Sequence, residues 1–458
     1  MLLCAQIYFE KNSMVKSEAV YRQASQVIPG GVSANIKYFP PFPIVMKKGY
    51  GSKLVDMDDN EYIDYSLCYG ALVTGHGHKR IMQATADFLH QSGTAIFGTP
   101  HELEAVMAEK LAQLYPAIDM VRFTNSGSEA IQLAIRLAIA YTGKEKIGKF
   151  EGHYHGGLNH MLVSINPDHE EAGDAHRPHS IPESKGIPKH ELDQTLVLPF
   201  NDLESVETIL REHKDDLAAV ILEPVQGGFI PATPAFMTGL RKLTEELNIV
   251  LIFDEVKTGF RVHLGGAQRV FHVKPDITTL GKVLGGGYPI GAVGGKKDIM
   301  MLSAPNEESD VFATGSKSRK KDEVVFHSGT YNGHPIALAA GLETIHMLEE
   351  DGVMNDIARQ TNKLRDQLEK LYATYDVPMQ TIGMGSIFNI VLTDKPIHNY
   401  RDMWQSNTAL RQKIDQALLQ LGIFSKPLNR YSMSLAHSEA DINRTVAAHE
   451  KALQRVKG

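Results

Sequence analysis

The chain has 458 residues, 43% of them hydrophobic and 22% charged, which fits a soluble globular enzyme whose core divides into two or three lobes. A net charge of −7 argues against nucleic-acid binding, which needs a basic surface to neutralise phosphates. No apolar run approaches the roughly 20 residues of a membrane helix, and the two distant cysteines, Cys4 and Cys68, lack metal-ligand spacing, so a reducing, cytoplasmic setting is expected.

Met1 to Ile7 lack a basic flank and a small-residue cleavage site, so residues 1–13 read as an extension or alternative start and not a signal peptide. Residues 15–27 read as a short helix stopped by Pro29-Gly30-Gly31. The prolines of Phe39-Pro40-Pro41-Phe42-Pro43 exclude both helix and central strand. Residues 44–65 predict a β-meander, with turns near Gly49-Gly51 and at Asp58-Asp59-Asn60. From His78 onward strands and helices alternate, the pattern of a mostly parallel sheet.

Val121-Arg122-Phe123 reads as a strand leading through Asn125-Ser126-Gly127-Ser128-Glu129 into a helix over Ala130–Tyr141, with one buried stripe of Ile131, Leu133, Ala134, Leu137 and Ala138. Small hydroxyl residues at a helix start serve either as a plain N-cap or as a phosphate cradle, because free N–H groups and the helix dipole point there. Phe150-Glu151-Gly152-His153-Tyr154-His155-Gly156-Gly157 sets glycines around an aromatic ring, so that a planar ligand can stack on Tyr154; the alternative is a mobile surface loop. The histidines that follow, His160, His169, His176, His179 and His190, show no helical pair with a nearby acid, so no metal is expected.

Leu217–Leu222 is an apolar run ending in Glu223-Pro224-Val225-Gln226-Gly227-Gly228. An amphipathic helix over residues 235–246 joins it to the run 249–253, which ends in Asp254. Lys282 follows another short apolar stretch and precedes Gly285-Gly286-Gly287. A buried lysine can lose its proton and attack a carbonyl, and a buried acid can hold a cationic ring nitrogen. Together they are what pyridoxal phosphate (PLP) requires. Ser126, Glu223, Asp254 and Lys282 all fall just past strand ends, the rim where open α/β sheets bind ligands. A nicotinamide dehydrogenase is disfavoured, since the three glycines form no G-x-G-x-x-G turn opening the first helix. Residues 303–325 form a polar insert whose basic run 316–321 is a solvated loop or a docking segment. Beyond a helix at 336–349, helices near 356–373 and 408–421 with strands near 387–392 and 431–435 predict an α+β lobe.

The motifs Ile28-Pro29-Gly30-Gly31-Val32, Asn125 to Ala130, Phe150 to Gly156, Glu223-Pro224-Val225, Asp254-Glu255-Val256, Gly281-Lys282 and Gly329-Thr330 occur in the order and approximate spacing of the class III, fold-type I PLP aminotransferases. Within that family the chain most resembles the glutamate-1-semialdehyde 2,1-aminomutase branch. The resemblance implies an α/β fold: a large PLP-binding domain at 71–341 with a mostly parallel central sheet, and a small α+β domain at 342–458. The N-terminal segment 1–70 would pack with the small domain.

It also implies roles. Lys282 would be the Schiff-base lysine and proton shuttle, and Asp254 the partner of the pyridine nitrogen. Val256 and Tyr154 would bracket the ring, Ser126, Gly127 and Ser128 would hold the phosphate, and Glu223 would support the surrounding network. Thr330 would reach the cofactor of a neighbouring copy, so a homodimer is implied. The aminomutases carry an arginine where this chain has Lys37, and a lysine offers no planar fork for a carboxylate. They also carry an asparagine where Gly228 stands, and an acidic residue in the region that here reads Pro427-Leu428-Asn429-Arg430-Tyr431. Arg430 is therefore a candidate carboxylate clamp, with Lys37 and His155 as further substrate contacts. The expected activity is transamination in two half-reactions between a small-molecule amino donor and an oxo acid or carbonyl acceptor, a carrier-protein-tethered acceptor included. The alternative is the intramolecular aminomutase reaction.

Overall fold

The computed structural model describes residues 14–305 and 324–457, so the extension 1–13 and most of the 303–325 insert lie outside the described residues. The chain forms two compact units. The smaller takes the residues up to Met82, Gly352–Lys395 and Gln405 onward; the larger takes Gln83–Asp351 and Pro396–Trp404.

Among the described residues, the larger unit is built on a seven-stranded sheet. We label its parts in chain order: β1 (Met120–Thr124), α1 (Gly127–Thr142), β2 (Lys146–Phe150), β3 (Thr195–Leu198), β4 (Leu217–Leu222), α2 (Pro234–Glu246), β5 (Val250–Asp254), β6 (Ile277–Gly281), β7 (Gly291–Gly295) and α3 (Pro335–Glu349). The spatial order is β1-β7-β6-β5-β4-β2-β3. Only β7 runs against its two neighbours; the other pairings are parallel.

The apolar runs explain this layout. Every residue of β4, β5 and β6 is buried, which suits central parallel strands covered on both faces. Helix α1 covers one face, and its buried surface is wider than the expected stripe, because Ala130 and Ile135 are buried too. The reason is a second layer: α1 shares one apolar cluster with Ile221, Ile252 and Val293 of the sheet and with Met161, Ile299 and Met300 beyond it. Each fully buried Ile or Leu there contributes ~1.5–3 kcal/mol.

Helix α3 fixes the turn that carries Lys282. A Cβ on Gly341 would come 2.0 Å from the Leu284 carbonyl oxygen, and one on Gly286 would come 2.5 Å from the Ala340 carbonyl oxygen. The two backbones therefore touch directly. Lys282 itself adopts a left-handed φ of 49°, a conformation costing ~1–3 kcal/mol that persists only where its surroundings enforce it.

In the smaller unit, strands Met46–Tyr50, Lys53–Asp56 and Glu61–Asp64 form the meander, and Ile423–Phe424 from the C-terminal part pairs parallel with the third. The Asp58 carboxylate accepts from Lys16 N and Ser17 N, both at 3.0 Å, and caps the helix Val15–Ala24 from across the sequence. Leu67, Cys68, Tyr69 and Gly70 take consecutive left-handed φ values of 45°, 52°, 56° and 89°. Asp64 stabilises this turn, with Oδ1 accepting from Ser66 N (2.8 Å) and Leu67 N (3.0 Å) and Oδ2 2.7 Å from His76 Nε2. A fully buried pair, Arg411 Nε to Asp415 Oδ1 at 2.8 Å, anchors the 428–429 loop through Leu428 N and the Asn429 carbonyl.

Two outcomes follow from these contacts. Replacing a helix-interior glycine by alanine ordinarily adds ~1 kcal/mol of stability. Gly341→Ala should instead lose ~1–3 kcal/mol through overpacking, and a melting temperature equal to or above the parent's would refute the contact. The second concerns His449, buried with Nδ1 2.9 Å from Tyr372 Oη and Nε2 3.2 Å from Tyr431 Oη. Burial, and then Arg411, push its pKa from 6.5 down to about 3. Between those values the unfolded chain binds a proton that the folded one refuses, so folding stability falls as pH drops from 6.5 towards 3. His449→Gln should show a shallower loss over that window in urea titrations, even if it is less stable at neutral pH; an unchanged slope would exclude His449 as a source.

Candidate active site

The carboxyl ends of four strands converge on one rim of the larger unit's sheet. Asn125 and Ser126 follow β1, Glu223 follows β4, Asp254 ends β5 and Lys282 follows β6. β7 enters between the first and last of these, with Gly291 in register with Thr124 on one side and Gly281 on the other. Gly291 has to be a glycine, because a Cβ there would lie 2.2 Å from the Ser126 carbonyl oxygen. A Cβ on Gly281 would lie 3.4 Å from Val256 Cγ1 and 3.6 Å from Gly127 Cα, and a Cβ on Gly127 would lie 2.9 Å from both methyls of Val256. The start of α1, the Val256 side chain and the base of Lys282 thus meet at one point.

The N-terminus of α1 is capped by Ser126, whose Oγ accepts from Glu129 N at 3.2 Å, while Asn125 N donates to Glu129 Oε2 at 2.7 Å. The reciprocal cap leaves the N–H groups of Gly127 and Ser128 at the open end of a 16-residue helix, where an anion is favoured. The Tyr154 loop closes against it: a Cβ on Gly156 would fall 2.3 Å from Ser128 Oγ.

Asp254 is 3% exposed. Its Oδ1 accepts from Val256 N at 3.0 Å and from Thr279 Oγ1 at 3.5 Å, and its Oδ2 lies 2.7 Å from His155 Nδ1. His155, read from sequence as a substrate contact, is instead fully buried and committed to Asp254, so it orients that carboxylate.

Glu223 forms the second buried hub. Oε2 accepts from Tyr154 N (3.0 Å) and Gly227 N (3.3 Å), and Oε1 pairs with Lys257 Nζ at 2.7 Å. Burial would raise its pKa, but the surrounding groups, the Lys257 ammonium foremost, together hold the carboxyl well below the usual range. Its own N–H donates to His153 Nδ1 at 3.0 Å, and burial keeps that ring neutral by driving its pKa well below 6.5.

Three lysine or arginine side chains not singled out from the sequence hold the Tyr154 loop. Lys149, fully buried in β2, donates to the carbonyls of His153 (2.9 Å), Met161 (3.4 Å) and Val163, and burial pushes its pKa down to about 7. Arg401 grips both oxygens of Glu151 at 2.7 and 2.9 Å and the carbonyls of Ala172 and Gly173 at 2.8 Å. Lys257 stands over the Tyr154 ring, 5.5 Å from its centroid. A lysine flanked by Gly148 and Phe150 within β2, as at Lys149, is the one signal that sequence offered.

Thr330 is exposed in the larger unit. Lys37 and Arg430 belong to the smaller unit. There the exposed Lys37 bonds Ser33 Oγ at 2.8 Å, and Arg430 Nη2 donates to the Tyr69 carbonyl at 3.3 Å. Among the described residues no group of three His, Cys, Asp or Glu could hold a metal ion, and no helix is long and apolar enough to cross a membrane.

These residues fit pyridoxal phosphate. A helix N-terminus suits its phosphate, a buried, donor-rich carboxylate suits its ring nitrogen, a lysine follows on the same rim, and glycines stand where any Cβ would fill the cradle.

Comparison with known proteins agrees with that chemistry. Residues 36–453 match the family described as Aminotransferase class-III. A glutamate-1-semialdehyde 2,1-aminomutase of Legionella pneumophila (strain Corby) is 40% identical, covering 97% of this chain and 100% of that protein. Among solved structures, an omega-transaminase from Sphaerobacter thermophilus superposes with a TM-score of 0.89 at 35% identity, covering 96% of this chain and 98% of that one. A transaminase with PLP bound superposes with a TM-score of 0.84 at 30% identity, covering 97% and 98%. Residues 36–453 being matched by one family, the chain belongs to the class-III aminotransferases, a family of enzymes that work with pyridoxal phosphate.

Proposed function

We propose that this chain transfers amino groups with pyridoxal phosphate held by Lys282, and that the transfer is the glutamate-1-semialdehyde 2,1-aminomutase reaction. The observation that carries the cofactor chemistry is the buried Asp254–His155 pair on the same strand-end rim as Lys282 and the start of α1. The intramolecular reading is supported by relatives of that name at 40% identity over their whole length. It displaces intermolecular transamination, the expectation from sequence, as the first reading. Transamination stays as the second because Lys37 stands where the aminomutases carry arginine, and because the omega-transaminase is 35% identical.

Bound pyridoxal phosphate supplies an aldehyde that condenses with amines and a ring that accepts the electron pair left by a broken C–H bond. Lys282 Nζ would hold that aldehyde, and its amine, when free, would carry a proton from one carbon to the next. Asp254, anchored by His155, Val256 N and Thr279, would face the ring nitrogen and hold a proton there. Ser126, Ser128 and the N–H groups of Gly127 and Ser128 hold the phosphate. Val256 and Tyr154 bracket the ring, and Glu223 fixes the Tyr154 backbone. In a homodimer, Thr330 would reach the phosphate bound by the neighbouring copy.

Borohydride reduction should attach the cofactor permanently to the parent protein and not to Lys282→Ala, whose turnover should drop by at least about 10²–10⁴-fold. Retained activity would refute the lysine's assignment. The two readings separate in one assay series. Isomerisation of the semialdehyde without any oxo acid supports the mutase, whereas turnover that needs an amine donor with pyruvate or 2-oxoglutarate supports the transaminase. In the latter case Arg430→Ala should raise the KM for the oxo acid, and an unchanged KM would remove Arg430 as the clamp.

A further inference from the structure

Lys257 lies three residues beyond Asp254 and one beyond Val256, and the proposed reaction gives it no part. Its side chain is 12% exposed, and Nζ stands 2.7 Å from Glu223 Oε1 and 5.5 Å from the centroid of the Tyr154 ring. The other Glu223 oxygen accepts from the backbone N–H of Tyr154 and of Gly227. One carboxylate therefore ties together the aromatic loop, the turn after β4 and the segment after β5. A single ammonium neutralises that carboxylate and also faces the aromatic ring.

Removing the ammonium would leave Glu223 in a site whose burial favours the protonated acid. Lys257 is the largest of the influences that oppose that burial, and the other groups near Glu223 have partners of their own. His153 is held neutral by burial, Lys149 spends its ammonium on three carbonyls, and His155 is turned toward Asp254. A protonated Glu223 accepts more weakly from Tyr154 N. The ring would also lose a cation within the ~6 Å range of cation–π attraction.

We propose that Lys257 is a positioning residue for the cofactor platform. It keeps Glu223 ionised, so that the Tyr154 backbone is fixed, and it sets the tilt of the Tyr154 ring from above, so the stacking surface exists before the cofactor arrives. This role rests on the pyridoxal phosphate reading of the site. It acts through Tyr154 and Glu223 and requires no contact between Lys257 and the reacting atoms.

The test compares K257M, K257R and the double variant K257M/E223Q with the parent, using pyridoxal phosphate itself as the probe. Apo-protein affinity is read by absorbance titration, the bound cofactor's spectrum is followed across pH, and apo-protein melting checks the fold. K257M should bind pyridoxal phosphate about tenfold to a hundredfold more weakly, the range in which supporting partners of a bound group act. It should also show a spectral transition, absent from the parent, as Glu223 takes up a proton. K257R should restore both readouts. K257M/E223Q should lose the transition, because an amide has no proton to gain. K257M with affinity within twofold of the parent and the same pH profile would overturn the proposal, as would a transition that survives in the double variant. If K257M fails to fold, K257R against E223Q decides: affinity must be retained in the first and weakened in the second. A parent protein that binds no pyridoxal phosphate would fail the reading of the site itself, a result distinct from any failure of Lys257.

Discussion

The larger unit is arranged around a carboxylate buried at the end of a central strand, Asp254, whose oxygens must find hydrogen-bond partners inside the protein. Left without them, a buried polar group costs stability. Here a histidine, a backbone N–H and a hydroxyl converge on it. Each donor needs its own support. His155 sits on a loop pinned by Lys149 and Arg401, Val256 packs into the glycine gap at the start of α1, and Thr279 stands opposite Asp254 in the neighbouring parallel strand. The sheet, the helix start and the loop are thus three supports for one buried carboxylate.

Around it lies a second layer of compensated charge. Glu223 and Lys257 neutralise each other, and Glu151 and Arg401 do the same. Buried pairs of this kind add little net stability, since desolvation offsets most of the attraction. Their value here is geometric. Both link the loop that carries Tyr154 and His155 to residues distant in sequence.

Much of this was legible from residue order. Runs such as Leu217–Leu222 and 249–253 could be read because burial on both faces leaves no polar alternation, and Asp254 stood out as the acid ending such a run. The wider buried surface of α1 was not legible, because the second layer over it comes from Met161, Ile299 and Met300, far along the chain. Lys149 and Lys257 escaped for the same reason: a lysine's partners are carbonyls and carboxylates brought near only by folding. The left-handed turn at Leu67–Gly70 was hidden more completely. Leu, Cys and Tyr have no local preference for that conformation, and tertiary contacts, those of Asp64 among them, hold it. The setting of His155 was not legible either, because its place against Asp254 depends on a residue 99 positions away.

The direct seating of α3 on the turn after β6 limits how the lysine can travel. With Gly341 against the Leu284 carbonyl and Gly286 against Ala340, the main chain there has no slack to give. Any excursion of the Lys282 amine must then come from rotation about the bonds of its own four-carbon stem. Position 282 then behaves as a swinging arm on a fixed pivot, and its reach is set by methylene count.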